Sequence, residues 1–157
     1  MRKWRPYGSR TDPGAWLSIA NMFPTEAGTI YSEIQLPAAV GTTQAIIDYG
    51  SGTTTFYNSS GSSAVLLRDG TNIVTATLPT AATRTKYAAS YGGSALNMAK
   101  DGTLSTAGSF DGSMNPGANF GIGYDPSAVG NQLFGNIRNV RIAQAAFGDT
   151  TLQALTA

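Results

Sequence analysis

Turn-forming residues cut this sequence into short apolar stretches, roughly one every 8–12 residues, and that spacing confines the chain to a β-rich fold. The clearest stretch covers residues 30–36 and alternates apolar and polar side chains, the pattern of a half-buried strand. Ile30, Ile34 and Leu36 fall on one face; Tyr31, Glu33 and Gln35 fall on the other. Pro37 closes it. Similar runs cover 44–49, 53–58, 64–68, 73–78, 86–91 and 96–99, each ended by Gly, Ser, Pro or an Asp-Gly pair. Residues 103–106 return from Lys100-Asp101-Gly102 as a hairpin. After a Gly/Ser/Asn loop come a short strand over 120–124 and a long one over 133–143, with Gly135 as its expected bulge. Only the tail reads as helical: Asp149 is placed to cap a turn that carries Leu152 and Leu155. About ten short strands predict a two-sheet sandwich or a barrel.

Composition supports that reading. Charged residues make up 12% of the 157, about half of the usual share. The polar surface therefore falls to Thr, Ser, Asn, Gln and Gly, which suit strands and turns. The net charge is +1, so the chain as a whole has no strong pull on nucleic acid or an acidic membrane. Four of the ten basic residues, Arg2, Lys3, Arg5 and Arg10, stand in the first ten positions beside Trp4 and Tyr7. Pro6, Pro13 and Pro24 break residues 1–27 too often for a helix, so this part reads as an extended arm before one domain over 28–157. No apolar run is long enough to span a membrane or to form the centre of an export signal.

The residues also exclude much chemistry. Without cysteine or histidine, the chain has no disulfide, no thiolate or imidazole metal site and no Ser-His-Asp triad. Acid–base work would fall to nine carboxylates. Asp69, Asp101 and Asp111 each precede glycine and read as turn residues. Glu33 and Asp48 remain as strand carboxylates, without the close spacing along one strand that glycoside hydrolysis on a sandwich calls for. Asp111, Asn115, Asn119, Asp125 and Asn131 are loop oxygens of the kind calcium takes, in no ordered calcium-loop spacing. No metal, no cofactor and no catalytic set is expected.

The second half carries a resemblance. Lys86-Tyr87-Ala88-Ala89-Ser90-Tyr91, the turn at Asp101-Gly102, Phe120-Gly121-Ile122-Gly123, Gly135-Asn136-Ile137-Arg138-Asn139-Val140-Arg141-Ile142 and the closing Leu152-Gln153-Ala154-Leu155 follow one another in an order that resembles concanavalin A-like, laminin-G-type domains, including those of bacteriophage virion proteins. The resemblance covers 28–157. It implies an all-β, two-sheet antiparallel jelly-roll sandwich with a short C-terminal helical turn, preceded here by the extended arm.

Two functions follow as expectations. The first is a non-enzymatic virion protein, a capsid decoration or cement protein on the surface of a phage particle. The arm residues Arg2, Lys3, Trp4, Arg5, Tyr7 and Arg10 would then form its interface with the major capsid protein and with further copies of itself. The second is a glycan-binding module of a tail fibre or other surface protein. Tyr31, Glu33 and Gln35 are then the expected contacts, with Tyr31 as an exposed ring for a sugar.

Overall fold

The computed structural model describes residues 24–36, 43–48, 54–58, 64–69, 72–77, 83–112, 114, 121–124 and 131–157. The arm residues from Arg2 to Arg10 lie outside them.

Eleven strands and one helix run through the described residues. They are β1 (Gly28–Gln35), β2 (Gln44–Asp48), β3 (Thr54–Asn58), β4 (Ala64–Asp69), β5 (Ile73–Thr77), β6 (Arg84–Gly92), β7 (Ala95–Lys100), β8 (Thr103–Leu104), β9 (Gly108–Ser109), β10 (Gly121–Ile122), β11 (Asn136–Ala143) and α1 (Asp149–Thr156). All pairings are antiparallel. One sheet runs β11-β1-β6-β7-β8, with β9 also on β7; the second runs β10-β2-β3-β4-β5.

The period-two pattern explains the sandwich. Ile30, Ile34 and Leu36 of the first sheet join Tyr87, Ala89, Tyr91, Leu96 and Met98 in a core shared with Ile46, Ile47, Val65, Leu67, Val74 and Ala76 of the second. Strand β1 is interior, flanked by β6 and the edge strand β11. Its odd-numbered residues Tyr31, Glu33 and Gln35 therefore turn to the outer face, opposite Ala88, Lys86 and Arg84 of β6.

That outer face is partly roofed. An eight-residue helix is too short to hold its shape alone in water. Here α1 buries Leu152, with Leu155 packed beside it, in a second apolar cluster with Tyr31, Ala88, Ala99, Leu104 and Phe147. The segment before it is tied down as well. Thr29 Oγ1 donates to the Ala145 carbonyl at 2.7 Å and accepts from the Phe147 N–H at 2.9 Å; Ser90 Oγ donates to the Phe147 carbonyl at 3.0 Å.

Two sequence expectations are corrected at the chain's end. Asp149 does not cap α1: the capping position is Gly148, which makes no side-chain bond, and Asp149 is the acidic residue of the first turn. There it complements the positive end of the helix dipole. Gly135 precedes β11 and is not its bulge. A Cβ at Gly135 would stand 2.6 Å from the Gln35 carbonyl oxygen and 2.9 Å from Leu36 Cδ2, so glycine is needed for close approach of two backbones. Gly135→Ala is expected to cost about 1–3 kcal/mol through overpacking, read as a lower urea midpoint with an unchanged slope.

The turn expected at Asp101-Gly102 is present. Asp101 and Gly102 have φ of 44° and 77°, the left-handed pair that a tight hairpin needs. Asp69 is a buried acceptor at the β4–β5 turn. It takes the Asn72 N–H at 2.9 Å and, from the distant loop, the Asp111 N–H at 3.1 Å.

Candidate functional site

The outer face of the first sheet carries most of the basic residues outside the arm. Six of the ten basic residues lie beyond position 10, and four of these, Arg84, Lys86, Arg138 and Arg141, stand on this face. Glu33 sits between them. In β6 its direct partner is Lys86, and in β11 it is Arg138.

The site is shaped by a β-bulge. Tyr31 pairs with Arg141, but Glu33 pairs with Arg138, so two residues of β11, Asn139 and Val140, oppose Ser32 alone. Asn139 takes a φ of 50° there, a left-handed conformation that asparagine tolerates better than most side chains. The bulge re-aims Asn139 across the face. Its Nδ2 donates to Glu33 Oε1 at 2.6 Å, and the Tyr31 hydroxyl donates to the same oxygen at 3.1 Å. The other carboxylate oxygen lies 3.9 Å from Arg84 Nε.

The neighbours are fixed in turn. The Arg141 guanidinium lies 5.6 Å from the centroid of the Tyr31 ring, within cation–π range. The Lys86 ammonium reaches the Ala157 carbonyl oxygen, and the Lys86 N–H donates to Asp101 Oδ1 at 2.9 Å. Arg84 is 48% exposed, whereas the Glu33 side chain is only 11% exposed. The Arg138 guanidinium has no partner among the described residues.

These contacts set the protonation of the centre. Donation from Asn139 holds the Glu33 carboxyl below its ordinary value of 4.5, helped by the Tyr31 hydroxyl and by the charges of Arg84 and Lys86. Burial pushes the Tyr31 phenol above 10.0, and the Glu33 hydrogen bond and charge push the same way. A lowered folded pKa means that Glu33 contributes stability above its unfolded value and loses it as pH falls through the lower folded one. A pH titration of the Glu33 carboxyl carbon by NMR is therefore expected to show a midpoint below 4.5. In Asn139→Ala the midpoint should move upward.

Tyr31, Glu33 and Gln35, singled out from the alternation of β1, thus share one face as expected. The expected exposure of Tyr31 is corrected: it is 7% exposed, because Arg141 lies over its ring and the apolar cluster under α1 closes on it. Among the described residues the exposed aromatic is Phe134, at 54%, two residues before β11. The sequence placed it inside the strand expected over 133–143, which begins only at Asn136. Tyr91 is fully buried. Arg84, Lys86, Asn139 and Arg141 were missed because 50 or more residues separate them from Tyr31 and Glu33; strand order alone brings them together.

The carboxylate pair also resolves. Glu33 is on the outer face of the first sheet, and Asp48 is in the second, paired with Gly121 and Thr55. A sandwich core, about 10 Å thick, separates the sheets, so the two acids cannot flank one glycosidic bond. Among the described residues no three His, Cys, Asp or Glu side chains gather as a metal site, and no helix is long and apolar enough to cross a membrane.

Solved structures share this architecture. The CBM40 domain of the Ruminococcus gnavus IT-sialidase, bound to α2,6-sialyllactose, superposes with a TM-score of 0.67 at 15% identity, over 94% of this chain and 89% of that one. Domain 4 of AbnA, a GH43 extracellular arabinanase from Geobacillus stearothermophilus in complex with arabinotriose, gives 0.64 at 14% identity, over 87% and 69%. Mouse laminin α1 domains LG4-5 give 0.56 at 13% identity, over 79% and 38%. The fold is a concanavalin A-like jelly roll. At these identities the likeness establishes the fold alone. No protein-family model and no curated protein sequence matches the chain.

Proposed function

We propose that this protein is a carbohydrate-binding β-sandwich module that holds its ligand without transforming it, on the outer face of its first sheet. The observation that carries the proposal is the Glu33 cluster. A carboxylate fixed by Asn139 and Tyr31 and ringed by arginines is an ordered array of donors and acceptors, of the kind that reads sugar hydroxyls. The fixed geometry removes most of the ordering cost before a ligand arrives. Exposed Phe134, at the entry to the edge strand β11, supplies an apolar ring against which a sugar can lie.

Two of the neighbours were solved with an oligosaccharide, which favours this reading over capsid decoration. The virion setting rests on the sequence resemblance of 28–157. The separation of Glu33 from Asp48, in a chain without histidine or cysteine, supports binding without catalysis. Screening the whole chain against immobilised oligosaccharides tests the proposal. Saturable binding, competed by free sugar and with no release of shorter products, is expected. Binding to none of them, or turnover of a bound glycan, would overturn it.

A further inference from the structure

We infer that the ligand of this face is an acidic saccharide, one whose carboxylate is gripped by Arg138 and Arg141. The inference rests on the carbohydrate reading above and adds the chemical class. Four cations stand against the carboxylates of Glu33 and, beside Lys86, Asp101, so positive charge is in excess on the face, whereas the whole chain carries only +1. The Glu33 carboxylate is occupied within the protein: Asn139 and Tyr31 share one of its oxygens, and the other faces Arg84. Lys86 is engaged by Ala157.

Two guanidiniums remain for an outside anion. Arg138 has no partner among the described residues, and Arg141 rests on the Tyr31 ring, which positions its fork but neutralises none of its charge. The bulge between them matters. It adds Asn139 on the face between Arg138 and Arg141, so the two forks flank an amide already locked by Glu33. A planar carboxylate matches a guanidinium fork with two parallel hydrogen bonds. A neutral sugar would leave both forks to water. The Glu33 carboxylate below them disfavours an anion pushed deep into the sheet, so the acid group sits at the arginines, with the sugar ring towards the Glu33 array.

The experiment measures the affinity of the whole chain for sialyllactose and an oligogalacturonate as carboxylated probes. Lactose is the neutral probe, a heparin-derived tetrasaccharide the sulfated one and a single-stranded DNA oligomer a plain polyanion. At least one carboxylated probe should bind ten or more times tighter than lactose, and weaken with added salt. Arg138→Ala and Arg141→Ala should each remove most of that preference, bringing the affinity for the carboxylated probe down towards that for lactose. Arg138→Lys should restore little, because an ammonium lacks the fork. Arg68→Ala, on the other sheet, should change nothing. Equal affinity for lactose and the acids would overturn the inference and leave the carbohydrate reading standing. Equal or tighter binding of the sulfated tetrasaccharide would overturn the choice of carboxylate. Binding of DNA with no saccharide bound would overturn both readings.

Discussion

Tyr91→Ala is expected to destabilise the domain by about 3–5 kcal/mol, the usual cost of deleting a buried aromatic ring. For a chain of this length that lowers the melting temperature by on the order of 10 °C. Tyr91 is fully buried and pairs with Gly28 and Leu96 in the first sheet. Its ring meets Phe110 at 5.7 Å, and its hydroxyl donates to the Pro24 carbonyl at 2.7 Å. The position ties three separate parts of the chain together. It also explains a glycine: a Cβ at Gly28 would stand 2.5 Å from the Tyr91 hydroxyl. Tyr91→Phe keeps the ring and loses one hydrogen bond, so it should cost only about 1 kcal/mol. Thermal and urea unfolding of the two variants separate packing from the hydrogen bond. Equal losses in both would show that the hydroxyl, and not the ring, carries the stability.

Glu33→Ala is expected to lower carbohydrate affinity at least tenfold while leaving the melting temperature within a few degrees. The side chain is a centre of organisation. Without it Asn139 loses its acceptor, the Tyr31 hydroxyl loses its partner and Arg84 loses its counter-charge. Each of these groups then spends part of the binding free energy on being ordered. The core lies on the other side of β1, with Ile30 and Ile34, so the fold does not depend on Glu33. Isothermal titration with a bound oligosaccharide, beside a melting curve, checks both halves. A variant that binds normally would show that the Glu33 array is a structural clasp between β1 and β11.

How much of this was legible in the sequence follows from the range of the forces involved. The division of β1 into Ile30, Ile34 and Leu36 against Tyr31, Glu33 and Gln35 is a local, period-two property, and it held. The Asp101-Gly102 turn is equally local, and it held. What alternation cannot convey is which strands flank β1 and what lies over its outer face. The arginines at 84, 138 and 141 meet Glu33 only because β6 and β11 are its neighbours, a long-range pairing. Tyr31 read as exposed because its roof, α1 with the segment before it, arrives more than 100 residues later. Gly135 was the obvious site for a bulge, yet the bulge formed at Asn139, where a side-chain amide offsets the left-handed backbone by binding Glu33.

The most direct test of the central claim is to titrate an isotope-labelled chain with a bound oligosaccharide and map the amides that move in NMR spectra. Shifts concentrated at Tyr31, Glu33, Arg84, Arg138, Asn139 and Arg141, on the outer face of the first sheet, are expected. Shifts confined to the second sheet, with these residues unmoved, would contradict that claim.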